Sequence, residues 1–187
     1  LVRQYISLYD DLEGALIVGT GHKPFIAVKS GLIMCKLMAA FKGWRYRSRF
    51  INKLTIGGNN KYFKPARTKS DWLTKDEKIV DAYIKDERID FIFTLNAFYY
   101  MFKGMLYLYD KDYMDKIPRN LPMIFLSGDK DPVGNFGRDV RRLYDLHKIK
   151  MTDVTCKLYK DDRHEILNES DKETIYRDIL MWIRERI

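Results

Sequence analysis

The chain has 187 residues, enough to bury the core of one ordinary domain or of a domain with a large insertion. Hydrophobic residues make up 46% and charged residues 32%, a balance that excludes a disordered polymer. The formal charge of +8 is unevenly distributed, because residues 14–70 contain twelve Lys and Arg and no acidic residue, while the rest of the chain has a net charge of −4. The basic character therefore belongs to one segment.

Several classes of protein are excluded by what the sequence lacks. Cys35 and Cys156 are too few for a disulfide scaffold, and no Cys-x-x-Cys pair or cluster with metal-ligand spacing is present, so we expect reduced thiols, no metal and no cofactor. No apolar run reaches the roughly 20 residues of a membrane-spanning helix. No signal peptide is visible, and we expect a cytoplasmic protein.

The first residues predict the end of a helix followed by a buried strand. Apolar residues recur at helical spacing from Leu1 to Tyr9, as in the second part of a helix that begins upstream. Residues 14–21 form an apolar run punctuated by glycines, without alternation. Such a run is typical of a strand that is buried on both faces of a parallel sheet.

A long, mostly helical region follows this strand. The pattern predicts helices over residues 31–41, 74–85 and 90–109, and the second helix opens on a capping box from Thr74 to Glu77. Residues 22–116 are too many for a loop. We expect them to form a helical cap inserted into the core.

Strands and helices alternate again in the last third of the chain. The pattern predicts a buried strand, an amphipathic helix, an alternating strand and a last helix opened by a capping box at Ser170, over residues 123–128, 137–148, 154–159 and from 170 onwards. Strands joined by crossover helices predict an α/β fold with a parallel sheet. The expected core comprises residues 1–21 and 117–187.

Two polar side chains follow the predicted strands at the edge where parallel sheets form their sites. Asp131 comes after the second strand and His164 after the third, so both are expected at the carboxyl edge of the sheet. An Asp that orients a His forms the last part of the Ser, Asp, His order of α/β-hydrolases. The alternative is that Asp131 is a turn or cap residue. His22 and His147 are interpreted as loop and helix-surface residues.

Two segments resemble the lysophospholipase and monoacylglycerol-lipase branch of the α/β-hydrolases, which is serine-aminopeptidase-like. They are Ser-Gly-Asp-Lys-Asp-Pro-Val-Gly from Ser127 and Leu-Tyr-Lys-Asp-Asp-Arg-His-Glu-Ile-Leu-Asn-Glu from Leu158. The stretches 14–21, 45–49, 63–65 and 70–74 resemble the same group's sixth strand and cap. The resemblance implies strands six to eight of that fold, with Asp131 as the triad acid, His164 as the general base, and Asp129 as the less favoured acid.

The family's nucleophile motif is absent from this sequence. Gly-x-Ser-x-Gly occurs nowhere in the 187 residues, although the family places its serine there. The resemblance puts that turn just before Leu1. We therefore expect the C-terminal part of a larger serine hydrolase, inactive by itself, whose partner is the N-terminal part that carries the serine.

The substrate and surface of the expected enzyme leave alternatives open. The resemblance implies a lipid-type carboxylic ester, of the lysophospholipid or monoacylglycerol kind, with a thioesterase, a peptidase or a non-catalytic lipid-binding protein as alternatives. The basic stretch indicates contact with an anionic membrane surface or merely a solvated face, and no nucleic-acid motif accompanies it. The Met, Phe and Tyr residues of the cap either line an acyl pocket or pack the cap itself.

Overall fold

A computed structural model describes residues 1–89 and 91–186. Three parallel strands form one sheet in the order β1-β2-β3, and they are β1 (Ala15–Val18), β2 (Met123–Gly128) and β3 (Val154–Tyr159). The register pairs Ala15 with Met123 and Met123 with Val154. The sheet confirms the predicted α/β fold and places β1 at its edge.

Residues 1–89 and 91–186 contain seven α-helices. They are α1 (Val2–Tyr5), α2 (Phe25–Lys42), α3 (Arg49–Leu54), α4 (Glu77–Lys85), α5 (Leu95–Tyr107), α6 (Arg138–Lys148) and α7 (Lys172–Arg184). Short 3-10 turns lie at Asn59–Tyr62, Met114–Lys116 and Ile166–Asn168. Helices α2 to α5 belong to residues 22–116, called the helical region below, and no helix among the described residues is long and apolar enough to cross a membrane.

Helices cover both faces of β2, which explains its continuous apolar run over residues 123–126. Met123 and Phe125 of β2 pack in one cluster with Val140 and Leu143 of α6. The alternate residues Ile124 and Leu126 pack on the opposite face with Ile175 and Trp182 of α7. Because successive side chains of a strand point to opposite faces, a strand covered on both sides has apolar residues at every position.

The helical region has a core of its own between α2 and α5. Phe98 and Cys35 are fully buried there, and burial raises the pKa of the Cys35 thiol. The helices approach closely at Gly31, where a Cβ would lie 2.6 Å from the ring of Phe102. Most of the aromatic residues and methionines of α2 and α5 pack in or against this core, whereas Phe25, Phe41 and Tyr100 are exposed.

The structure corrects the two predicted capping boxes. Helix α4 is capped by Asp76, whose carboxylate accepts from the main-chain N–H groups of Lys78 and Ile79 at 2.9 and 3.3 Å. Thr74 instead accepts from the N–H of Asp76 at 3.1 Å. Helix α7 begins after Asp171 with no side-chain cap. Spacing alone predicted both caps, but an acidic residue within each motif starts the helix.

Other helix boundaries also differ from the prediction. Helix α2 begins at Phe25, six residues earlier than predicted, directly after Pro24. Helix α5 begins at Leu95 because the hydroxyl of Thr94 accepts from the N–H of Ala97 at 3.2 Å. Asp90, where that helix was predicted to start, lies outside the described residues.

His147 is buried in the core, so its assignment to the helix surface was wrong. Its side chain lies against Phe125 with ring centroids 5.1 Å apart, and Nδ1 is 2.7 Å from the carbonyl oxygen of Leu143. Nε2 has no hydrogen-bond partner. Desolvation of the ring lowers the pKa of His147 to about 4.

This burial makes stability depend on pH through His147. The folded chain holds the ring neutral while the unfolded chain takes up a proton below pH 6.5, so the free energy of unfolding falls as the pH drops from about 6.5 towards 4. The full effect is about 3 kcal/mol. We expect His147→Leu to flatten this pH dependence, as measured by urea unfolding at pH 7.5 and pH 4.5. If the free energy of unfolding falls equally for both proteins between pH 7.5 and pH 4.5, His147 is not the source of the pH dependence.

Candidate active site

The turn after β2 buries the carboxylate of Asp131 completely. Its Oδ1 accepts from the main-chain N–H of Val133 at 2.8 Å. Its Oδ2 accepts from Nδ1 of His164 at 3.0 Å and from the hydroxyl of Ser127 at 3.3 Å. The two residues that the sequence selected are therefore in direct contact, 33 positions apart in the chain.

His164 lies on the turn after β3 with about a quarter of its side chain exposed. Its ring packs against the ring of Trp72, with centroids 5.1 Å apart. On another side it approaches Gly19, which follows β1 with a φ of +60°. A Cβ at Gly19 would lie 3.1 Å from Cε1 of the imidazole, so glycine both permits the backbone conformation and leaves space for the ring.

Asp129 and His22 do not join this pair. Asp129 accepts from the N–H of Asp161 at 2.8 Å, which ties the turn after β2 to the turn after β3. His22 lies against the ring of Tyr109, and its N–H donates to Asp139 at 3.0 Å. Burial, reinforced by nearby arginines, lowers the pKa of His22. Asp131 is thus the carboxylate that contacts His164.

A segment of the helical region lies directly on the His164 turn, and we call residues 70–75 the return segment. The N–H of His164 donates to the carbonyl of Trp72 at 3.4 Å, and the N–H of Glu165 donates to that of Leu73 at 2.7 Å. The guanidinium of Arg163 donates to the carbonyl oxygens of residues 71 and 74. In the sequence, residues 70–74 stand out only through the resemblance, and no local pattern predicts their contact with His164.

Charged groups next to the pair are compensated locally. The ammonium of Lys75 contacts the fully buried carboxylate of Asp162 and lies 3.0 Å from Asp171. Desolvation opposes the charge of Lys75, but hydrogen bonds to these two carboxylates outweigh it and raise its pKa. Burial raises the pKa of Asp162 to about 6 against the effect of Lys75.

The arrangement suits proton transfer at the free nitrogen of the imidazole. When Asp131 accepts the proton of Nδ1, Nε2 of the neutral ring carries the lone pair that can take up a proton. The buried carboxylate holds this tautomer and orientation. Among the described residues, no group of acidic, His and Cys side chains is arranged to hold a metal ion.

An α/β core whose parallel strands carry an Asp–His pair at their carboxyl ends is the site architecture of the α/β-hydrolases. Residues 2–171 match the serine aminopeptidase (S33) family, a family of α/β-hydrolases, and the chain belongs to it. A comparison with curated proteins gives no significant match.

Solved structures of esterases and lipases share this fold. A thermostable carboxyl esterase from Bacillus coagulans has a TM-score of 0.87 and 23% identity, with 99% of this chain covered. A monoacylglycerol lipase from Paleococcus ferrophilus has a TM-score of 0.68 and 18% identity, with 100% of this chain covered. A soluble variant of the Saccharomyces cerevisiae monoglyceride lipase has a TM-score of 0.68 and 16% identity, with 99% of this chain covered. The chain spans 61%, 64% and 58% of their respective lengths.

The contact between the Asp131 and His164 turns requires a glycine at position 128. A Cβ on Gly128 would overlap the main-chain oxygens of Asp162 and Arg163. We expect Gly128→Ala to lower the free energy of unfolding by at least about 2 kcal/mol, because backbone must move to make room.

A matched control is Gly104→Ala in α5, where a Cβ would meet only the end of the flexible Gln4 side chain at 3.2 Å. Since Ala also suits a helix better than Gly, this variant should stay within about 1 kcal/mol of the unmodified chain. Urea denaturation measures both. If the urea midpoint of Gly128→Ala equals that of the unmodified chain, the close approach of the two turns at Gly128 does not contribute to stability.

Proposed function

We propose that the complete protein is a serine hydrolase that cleaves carboxylic esters, with Asp131 and His164 as two members of its triad. The observation that carries the proposal is the 3.0 Å hydrogen bond between the buried Asp131 and Nδ1 of His164 at the edge of a parallel sheet. Membership of the serine aminopeptidase family supports the same chemistry. Among the described residues, no serine hydroxyl is hydrogen-bonded to His164, and we propose that the nucleophile lies upstream of Leu1.

The proposed mechanism assigns each residue one role. The upstream serine attacks the ester carbonyl, Nε2 of His164 takes its proton, and the same nitrogen later gives that proton to the leaving alcohol. Asp131 holds the Nδ1–H tautomer and stabilises the imidazolium that forms. Main-chain N–H groups upstream stabilise the oxyanion.

The proposed substrate is a lipid-type ester, of the lysophospholipid or monoacylglycerol kind. The solved structures of this fold include a monoacylglycerol lipase and a monoglyceride lipase, which favours an ester with an acyl chain. The family's description as serine aminopeptidases favours a second candidate, cleavage of an amino-terminal peptide bond. Assays with 4-nitrophenyl butyrate, monooleoylglycerol and alanine 4-nitroanilide distinguish the candidates.

Removing either triad member should abolish turnover of the complete protein. We expect His164→Ala and Asp131→Asn to lower kcat/KM by at least about a thousandfold, because the members of such a unit act together. The matched control Asp129→Asn removes the charge of the neighbouring acid but keeps a side-chain oxygen that can accept from the N–H of Asp161. It should alter kcat/KM by no more than about twofold.

The same assays test the alternative roles. Turnover that survives His164→Ala would refute the triad, and a complete protein that binds monooleoylglycerol without hydrolysing it would support a non-catalytic binding protein. The chain from Leu1 by itself should show no turnover, and co-expression with the upstream segment should restore it.

We propose that this upstream segment is the physical partner of β1. Among the described strands, β1 pairs with β2 alone, which leaves its other edge without a neighbouring strand. Its residue Val18 is 37% exposed. A short apolar edge of this kind favours pairing with another strand.

We further propose that the helical region is a cap that contacts anionic membrane surfaces. Helices α2 and α3 expose large apolar side chains beside basic ones, and these apolar residues are Ile33, Leu37, Phe41, Phe50 and Leu54. Arg45 and Arg49 are exposed. Arg47 differs, because its guanidinium donates to the carbonyl of Ile92 at 2.6 Å. Apolar side chains flanked by cations suit the boundary between headgroups and acyl chains.

Vesicle binding by the complete protein tests this contact. We expect the double variant Arg45→Gln/Arg49→Gln to weaken binding to vesicles that contain phosphatidylglycerol by about tenfold or more, since each basic residue near an anionic surface contributes about 1 kcal/mol. The control Arg138→Gln/Arg141→Gln removes two exposed charges from α6 and should leave binding unchanged. If neither the Arg45→Gln/Arg49→Gln variant nor added salt weakens vesicle binding, the proposal is contradicted.

A further inference from the structure

A second buried carboxylate, Glu169, lies outside the Asp131–His164 pair but is joined to the same turn. It precedes α7 and is fully buried. Its Oε1 accepts from the main-chain N–H of Arg163 at 2.7 Å. Its Oε2 accepts from the hydroxyl of Thr74 at 2.8 Å and from the N–H of Lys75 at 3.0 Å. One oxygen thus holds the residue before His164, and the other holds the return segment.

The donors that surround Glu169 compensate the cost of burying its charge. A buried carboxylate without partners is strongly unfavourable, and hydrogen bonds to main-chain N–H groups favour its charged form. An amide in its place would put an NH₂ group against at least one of these donors. A carboxylate at position 169 therefore satisfies donors from two segments at once, Arg163 and residues 74–75.

Both of these segments contact His164 itself. Arg163 is the neighbouring residue in the chain, and Trp72 of the return segment contacts His164 through its carbonyl and its ring. A shift between the segments that Glu169 joins would rotate or displace the imidazole relative to Asp131. Catalytic groups displaced by about 1 Å lose about a hundredfold in rate.

We infer that Glu169 is a positioning residue that couples the helical region to the orientation of His164. The inference rests on the proposed function for its kinetic part, since it assigns to His164 the role of general base. Among the described residues, no hydrogen bond joins the Glu169 carboxylate to Asp131 or to the imidazole. It acts through Arg163 and through the return segment.

The test compares Glu169→Gln with Glu173→Gln in the complete protein. Glu173 is exposed on α7, so the control makes the same chemical change four residues away. With 4-nitrophenyl butyrate we expect Glu169→Gln to lower kcat about 10- to 100-fold while KM changes by less than about threefold. Glu173→Gln should stay within about twofold of the unmodified enzyme.

Nitrogen NMR of the imidazole provides a readout that a purely structural role would not move. In ¹⁵N-histidine-labelled protein, we expect the unmodified His164 to show the Nδ1–H tautomer that Asp131 selects. Glu169→Gln should shift its ring nitrogens towards a mixture of tautomers, while Glu173→Gln leaves them unchanged. This measurement needs no turnover, so it tests the positioning even if the protein cleaves no ester.

Thr74 supplies a second pair of variants in case Glu169→Gln does not fold. Thr74→Val keeps the shape but removes the hydroxyl, and we expect a smaller loss of kcat and a tautomer shift in the same direction. Thr74→Ser retains the hydroxyl and should rescue both. If the variants only lower the melting temperature, with kcat and the His164 signal unchanged in the folded protein, Glu169 is not a positioning residue.

Discussion

The main chain of Asp162 and Arg163 passes directly over Gly128, and the two turns that carry Asp131 and His164 are joined because no side chain separates them. Hydrogen bonds complete this junction, with the N–H of Lys130 donating to the carbonyl of Asp162 at 2.8 Å. The Asp131–His164 contact of 3.0 Å depends on this approach. Both turns begin where neighbouring parallel strands end, so the sheet brings them to the same edge. The glycine at position 128 then allows their main chains to approach closely.

The helical region contributes main-chain and ring contacts to the turn that carries His164. It buries apolar residues of its own between α2 and α5. Its return segment then lies on the His164 turn, where Trp72 contacts the imidazole and main-chain groups of both segments are paired. These contacts join segments about ninety residues apart in the sequence, so the turn that carries His164 is packed against the helical region.

Three fully buried carboxylates, Asp131, Asp162 and Glu169, lie in or beside the two turns, and each is compensated differently. Asp131 accepts from main chain, a hydroxyl and the imidazole. Glu169 accepts from main chain and a hydroxyl, whereas Asp162 contacts the ammonium of Lys75. A buried charge is costly unless it is paired, and Asp162 is the least compensated of the three, because its Oδ2 has no hydrogen-bond partner.

The sequence by itself determined the parallel strands, the helices other than α3 and the two residues at the sheet edge. The apolar runs are local patterns, and such patterns indicate which faces of a strand or helix are covered. The turns with Asp131 and His164 are local motifs that directly follow two of these runs. The burial of His147 and the contacts of Glu169 with residues 74, 75 and 163 were decided only by tertiary structure. Each of these depends on partners distant in the chain, such as Phe125 for His147 and Thr74 for Glu169. Spacing along one segment carries no information about such partners.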